Sequence, residues 1–538
     1  MSERWAKELA LAGELSLFNQ VQDVDPAQYA DVARRMLQGH WLALREMRGA
    51  FVNKPPLMMW AQAAVMALVD VGSFSARLPA LLYGLLAVFG TFLVGRELRD
   101  RKHGLIAAVL FASSVAFHHM VLDPKVDMPL TAMSTLAVWA LLAARTRPRF
   151  YWLAWLFGAL GMPSKGPIGL VLPTLAVAPE LLREGGLSSE PTLWRRILSV
   201  RPLRGALLVA ALVAPFYLAT AQEAGGDSAR VLLWNQGFGR LLGGGSSSDS
   251  TTPLYFVHTG LWAFLPYSPL LLAALGRRLR SMLTSRALPP EAARVPLWWF
   301  VLPFFVISFS NAKLPQYAYW LAPPAALLVA EELRQLSGRG HRRWQVALVS
   351  LGACAVVLGA VGVVVSFPSH WPWLLVVAAA PVAAWVATTA DEPVFRTTAV
   401  CACATLGALG YLHGGLQPAL LEYQPSRAIA AIVRAEDPSA AVLSYIDVPP
   451  AFSLSFYAER DLVPVDVSQL KAAVEAGQVH LVLVGDEGAD AVRAVGLKAA
   501  SLGRFPVFST SIPSGAFLMA KTRESVLGHV ELLSVAPR

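Results

Sequence analysis

The sequence predicts an α-helical polytopic membrane protein with a C-terminal water-soluble α/β domain. Three observations carry that expectation. Of 538 residues, 55% are hydrophobic and only 15% charged, against about 25% charged in an ordinary soluble domain, and the mean hydropathy is +0.50. Apolar runs recur from Phe74 to His413, many near the ~20 residues that a bilayer-crossing helix needs. From residue 416 onward the pattern changes to short strand-like and helix-like runs with polar punctuation, as in a small α/β unit. The expected division is a membrane domain over 1–415 and a soluble domain over 416–538.

Candidate spans fall at 76–95, 104–122, 127–144, 150–163, 166–182, 203–221, 254–275, 296–310, 314–332, 344–366, 371–389 and 397–415, which makes about 12–13 with one span expected before Asp23. The connections alternate in charge. One set carries Arg96, Arg99 and Arg101, then Arg145, Arg147 and Arg149, then Arg195, Arg196, Arg201 and Arg204, then Arg277, Arg278 and Arg280, then Arg342 and Arg343, then Arg396. The alternate set holds only Lys125, Lys165, Arg230, Arg240 and Lys313. Positive charge accumulates on the cytoplasmic side. The arginine side is therefore expected in the cytoplasm, and the lysine side and the tail in the periplasm of a bacterial inner membrane.

The apolar run 57–69 is only about 20 Å long as a helix, too short to span. It is expected to lie along the outer interface or re-enter. The stretch 5–21 contains Lys7, Glu8 and Glu14 and makes a poor span; the expectation is that it lies along the interface or that the true first span is missing from this sequence.

The net charge of +9 follows from the arginine loops, and no nucleic-acid partner is expected. Cys354, Cys401 and Cys403 lie inside apolar runs and read as small hydrophobes rather than a disulfide or zinc framework. The first 25 residues lack the basic n-region and compact apolar core of a secretory signal. In the tail, strands are expected at 441–448, 480–484, 505–508 and 516–520, and helices at 426–435, 467–476 and 489–495.

The outer connections carry charges pressed against spans, where desolvation makes them costly. They are Asp25 and Tyr29 in Asp25-Pro26-Ala27-Gln28-Tyr29, Lys54 in Asn53-Lys54-Pro55-Pro56, Asp127 in Asp123-Pro124-Lys125-Val126-Asp127, Lys165 in Ser164-Lys165-Gly166-Pro167, and Lys313 and Tyr317 in Lys313-Leu314-Pro315-Gln316-Tyr317. Each has a purely structural reading. Asp before Pro caps a helix, and a lysine at a membrane edge snorkels. Together they suit another purpose. Fixed amines gather a phosphate, and a neighbouring carboxylate orients or deprotonates a hydroxyl. No P-loop is present, so a reaction on the outer side must bring its own activated bond. A polyprenyl-phosphate sugar does so.

The ordered set Asp25 to Tyr29, Lys54-Pro55-Pro56, Arg77-Leu78-Pro79, Asp127-Met128-Pro129-Leu130, Lys165-Gly166-Pro167 and Lys313-Leu314-Pro315-Gln316-Tyr317 resembles the GT-C glycosyltransferases. The branch is the bacterial one of the lipid A aminoarabinose transferases, related to protein O-mannosyltransferases. Ser455-Phe456-Tyr457-Ala458-Glu459-Arg460 is similar to the soluble domain of that branch. The resemblance implies Asp25 as the acid that serves the acceptor and Asp127 as the second acid. It implies Lys54 and Tyr317 beside the lipid phosphate, and Arg240 as the arginine of the long outer loop. Where that branch carries Glu and His for a divalent metal, this chain has Asn53 and Ser250. No metal and no cofactor are expected.

The expected activity is transfer of a sugar from a polyprenyl-phosphate carrier to a hydroxyl of a periplasmic lipid such as lipid A, another glycan or a protein. The alternatives are a transporter or flippase of lipid-linked glycans, and a scaffold with a degenerate site. Transporters tend to hold charges near the midplane on broken, repeated helices. Here the charges stand at the outer edge and no internal repeat is evident.

Overall fold

The computed structural model describes residues 25–537 apart from 48, 184–192, 240–251, 285–287, 312, 336–338, 368–392, 412–413, 415, 439–441, 449–450 and 509–514. The chain opens with helix α1 (Asp25–Met36) and a two-stranded hairpin, β1 (Arg45–Glu46) and β2 (Gly49–Ala50). The bundle follows: α2 (Leu57–Leu68), α3 (Ser73–Leu98), α4 (Arg101–Ala112), α5 (Val115–Leu122), α6 (Asp127–Ala143), α7 (Phe150–Lys165), α8 (Ile168–Arg183) and α9 (Pro202–Ala224). Then come α10 (Tyr255–Ala263), α11 (Ser268–Thr284), α12 (Glu291–Ser308), a 3₁₀ segment (Pro315–Leu321), α13 (Ala322–Gln335), α14 (Arg339–Ser366) and α15 (Pro393–Tyr411).

Among the described residues, α3, α9 and α12 are each long and apolar enough to cross a bilayer. The expected span 104–122 is instead a pair, α4 and α5, bent by 60°. Ser113 and Ser114 make the bend. Ser114 accepts the Phe117 N–H as an N-cap, and the Ser113 hydroxyl pairs with the Tyr267 hydroxyl at 2.8 Å. The expected span 254–275 is likewise split, into α10 and α11. The expected span 371–389 and the stretch before Asp25 lie outside the described residues.

Glycine sets how closely the helices approach. Gly95 of α3 meets Gly104 of α4, where an added Cβ would stand 2.7 Å from the opposing Cα. Gly161 of α7 meets Gly169 of α8 backbone to backbone. Small residues permit such approach. The turn between α7 and α8 is made by Gly166 at φ +73°, a conformation that favours glycine. That turn presents Lys165.

Residues 426–536 form the α/β unit, with α16 (Ser426–Glu436), β3 (Val442–Ile446), α17 (Phe452–Ala458), β4 (Asp461–Pro464), α18 (Val467–Glu475), β5 (Leu481–Gly485), α19 (Gly488–Ala494), β6 (Lys498–Val507) and β7 (Gly528–Ala536). The sheet order is β4-β3-β5-β7-β6. β3 runs parallel to β4 and β5, and β7 antiparallel to β5 and β6. Three tail helices fall where expected. The expected strand at 516–520 is instead a short helix, Gly515–Leu518, whose Phe517 ring stacks on Phe508 at 4.0 Å. Strands β4 and β7 and helix α17 were not expected.

The α/β unit and the bundle share a core in which Tyr29 and Met36 of α1 join Leu454 and Phe456 of α17. Polar contacts reinforce it. Asp31, fully buried, accepts from Arg34 at 2.7 Å, Arg35 at 2.9 Å and the Ser455 hydroxyl at 3.2 Å. Arg35 also pairs with Asp461 at 2.6 Å. Ser73 at the start of α3 pairs with the Tyr457 hydroxyl at 2.7 Å.

Candidate functional site

Asp127 is the first residue of α6 and is buried. Its Oδ1 accepts two charge-assisted hydrogen bonds, from Lys165 Nζ at 2.5 Å and Trp320 Nε1 at 2.8 Å. The Lys165 ammonium also stands 4.3 Å from the centre of the Tyr317 ring and 4.5 Å from that of Trp320. Those two rings stack at 5.3 Å. Three elements thus meet: the start of α6, the end of α7, and the 3₁₀ segment. In a 3₁₀ turn, residues three apart eclipse, so Tyr317 and Trp320 form one aromatic wall. Asp127, Lys165 and Tyr317 were singled out by sequence. Trp320 was missed, although its spacing from Tyr317 was the available signal.

The turn before α6 holds a second pair. Lys125 Nζ meets Asp123 at 2.8 Å, and the Lys125 N–H donates to the Asp123 carbonyl at 2.6 Å. Burial works against the Lys125 ammonium. Asp123 beside it outweighs that effect, with Asp25 and Asp127 adding to the field, and its pKa rises above the ordinary lysine value. Asp25 thus stands close enough to act on the same turn. It opens α1, and among the described residues its carboxylate takes no side-chain hydrogen bond.

Arg77 is the other residue that sequence reasoning did not place in the site. It is fully buried in α3 and donates to the Leu122 carbonyl, within the field of Asp123 and Tyr457. It ties α3 to the end of α5.

The remaining candidates make other contacts. Lys54 is 8% exposed and donates to Asn53 at 3.3 Å, held ahead of α2 by Pro55 and Pro56. Tyr29 is buried against Phe51, ring edge to ring face at 6.3 Å. Lys313 donates to the Ser310 carbonyl at 2.5 Å. There it satisfies the carbonyl end of α12, the place where a cation is favoured. Arg240 and Ser250 lie outside the described residues. No three His, Cys, Asp or Glu side chains gather into a metal-binding group among the described residues.

Beside the Lys165 cluster runs an apolar groove of about 710 Å³, lined by Val257, Leu261, Phe264, Leu272, Leu279 and Trp298 among others. Phe256 belongs both to its wall and to the cluster, stacking on Tyr317 at 6.4 Å. The arrangement offers a cation on an aromatic wall beside an apolar groove.

Residues 53–219 match the family model described as dolichyl-phosphate-mannose-protein mannosyltransferase. Among curated proteins, the chain is similar to the undecaprenyl phosphate-alpha-4-amino-4-deoxy-L-arabinose arabinosyl transferase of Pseudomonas paraeruginosa, 31% identical over 62% of this chain and 60% of that protein. The enzyme of the same description from Edwardsiella ictaluri is 27% identical over 62% and 60%. The matches thus span about three fifths of the length of these relatives. Among solved structures, ArnT from Cupriavidus metallidurans bound to undecaprenyl phosphate superposes with a TM-score of 0.74 at 17% identity, covering 99% of this chain and 98% of that one. The chain therefore has the fold of that membrane enzyme. The motif resemblance and the comparisons converge on the same group of glycosyltransferases.

Proposed function

We propose that the protein is a bacterial inner-membrane glycosyltransferase moving a hexosyl or pentosyl group from a polyprenyl phosphate to an acceptor hydroxyl at the periplasmic face. The observation that carries this reading is the Asp127–Lys165–Trp320 cluster beside the apolar groove, with Asp25 close enough to act on the same turn. The groove would take the hydrocarbon of the carrier. The lysines would face its phosphate, Lys165 from the aromatic wall and Lys54 from the start of α2.

In this reading the acceptor oxygen forms a bond to the anomeric carbon as the bond from that carbon to the phosphate oxygen breaks. The bonding pair leaves with the polyprenyl phosphate, and the acceptor proton passes to the Asp25 carboxylate. Cations near the phosphate stabilise the charge that grows there. Asp127 acts through Lys165, fixing where that ammonium stands. The acceptor class is a lipid such as lipid A, another glycan, or a protein. The arginine loops would lie in the cytoplasm and the α/β unit in the periplasm.

The test supplies purified protein with undecaprenyl phosphate carrying labelled 4-amino-4-deoxy-L-arabinose or mannose and a membrane extract as acceptor. Label should leave the carrier, and Lys54→Ala should weaken carrier binding roughly tenfold to a hundredfold, the effect of losing one charged hydrogen bond. Release of no label from either carrier, with normal carrier binding by Lys54→Ala, would refute the assignment. Labelling of engineered cysteines with an impermeant reagent checks the orientation: 442–446 should react in intact spheroplasts and 277–284 should not.

A further inference from the structure

Three aromatic rings from three separate elements meet next to the Asp127 cluster. His119 of α5 lies 5.7 Å from Trp262 of α10, nearly edge to face, and 5.9 Å from Tyr319, nearly parallel. Trp262 and Tyr319 are 5.8 Å apart at 78°. An ordinary core triad is buried throughout. Here Tyr319 is buried and Trp262 half-buried, while His119 is exposed. The imidazole therefore keeps an open face beside the two other rings. Among the described residues, the His119 ring nitrogens take no hydrogen bond.

The triad adjoins both parts of the site already described. The charges of Asp123 and Lys125 act on His119, and those of Asp123 and Asp127 on Tyr319. Tyr319 directly precedes Trp320, which holds Asp127. Ala116, one turn before His119, lines the apolar groove, as do Leu261 and Ala318, the chain neighbours of Trp262 and Tyr319. A ligand with its hydrocarbon in the groove would bring its polar head to these rings.

We propose that His119, Trp262 and Tyr319 form the seat for the monosaccharide ring of the lipid-linked donor. A sugar has C–H faces that lie against aromatic rings and a rim of hydroxyls that needs polar partners. Small-molecule sites commonly combine aromatic walls with a few placed polar groups. The rings supply the wall, and His119, Asp123 and Lys125 supply the rim. A prenyl chain would need neither the open imidazole nor the charges, and the groove already offers it a purely apolar path. The assignment rests on the glycosyltransferase reading and deepens it.

The test measures binding of undecaprenyl phosphate with and without 4-amino-4-deoxy-L-arabinose or mannose to wild type, Trp262→Leu, Trp262→Phe and His119→Leu. Trp262→Leu and His119→Leu should each weaken the better-bound sugar-loaded carrier about tenfold and leave the bare carrier within roughly twofold. Trp262→Phe should recover most of the loss, which also shows that position 262 tolerates change. Equal weakening of bare and loaded carrier would overturn the proposal and give the rings to the tail or the fold. A rise in acceptor KM with donor binding intact would overturn it in favour of an acceptor sugar. Unchanged binding of both carriers would also overturn it while leaving the glycosyltransferase reading standing. If wild type binds neither carrier, both fall together.

Discussion

The two ends of the helix bundle solve the same problem, charge at the edge of an apolar body, with different chemistry. The most deeply buried acids at the arginine end are glutamates within helices. Glu180, fully buried, is gripped by Arg294 through both carboxylate oxygens at 2.5 and 2.7 Å and by Arg183 at 3.2 Å. Glu331 holds Arg99 at 2.6 Å, and Glu332 holds Arg277 and, at 3.1 Å, Arg278. At the lysine end the acids are aspartates at turns and helix starts. Asp127 receives Lys165 and Trp320 on one oxygen, and Asp25 acts on Lys125 without a hydrogen-bonded partner of its own among the described residues. A forked guanidinium on a carboxylate fixes geometry, whereas an ammonium is a point charge on a flexible stem that can turn to a new anion. The first end is built to stay as it is. The second is built to accept something.

The contrast is broken most severely at Glu180. Glu180→Ala strands Arg294 in a buried place, and removal of one partner from such a pair costs about 3–5 kcal/mol. The expected result is a large drop in the thermal midpoint in detergent. A variant that melts like wild type would mean that the arginine end is not a structural lock. Asp25→Asn sharpens the other side. It preserves size and removes the negative charge, so turnover should fall by about a hundredfold while the melting midpoint and carrier affinity hold. Wild-type turnover in Asp25→Asn would remove Asp25 from the reaction.

Trp320→Phe keeps an aromatic face for Lys165 but deletes the N–H donor to Asp127. A hydrogen bond to a charged group contributes about 1.5–3 kcal/mol, so transfer should fall about tenfold, with Trp320→Leu lower still. Equal activity in all three would show that Asp127 is held by Lys165 alone. The smallest effect belongs to a half-exposed pair at the arginine end. Arg334 holds the Asp100 carboxyl down at about 2. A depressed carboxyl stabilises the fold above its unfolded pKa near 4 and loses that contribution as pH falls through about 2. Because the Asp100 side chain is half-exposed, the contribution is under ~1 kcal/mol. Asp100→Asn should lower the midpoint slightly at pH 6 and match wild type near pH 2. A gap that widens towards pH 2 would reverse the sign.

The lysine end was partly legible in sequence because cost made it conspicuous. A carboxylate in Asp127-Met128-Pro129 and a lysine in Ser164-Lys165-Gly166 are improbable beside spans unless something answers them, and they answer each other. Trp320 was hidden because an indole among apolar neighbours reads as an interfacial anchor, and only the 3₁₀ turn aims its N–H at Asp127. A sequence does not show which way a lysine bends, and Lys313 bends back to the Ser310 carbonyl. The bend at Ser113 and Ser114 was invisible to a hydropathy pattern that runs unbroken through 104–122. In the tail, 516–520 has strand-like composition, but Phe517 is drawn against Phe508 and Tyr423, and that packing selects a helix.

The contact between Asp31 and Ser455 joins positions 424 residues apart, and this separation has a meaning in time. A ribosome adding about 5–20 residues each second makes Ser455 roughly 20–80 s after Asp31. Throughout that interval α1 has no α17 to rest on, and Asp31 has only Arg34 and Arg35 of its own helix. The helix that carries Asp25 is thus the first described element to be made and among the last to be seated. The packing of α1 can be completed only once the chain has been made through α17.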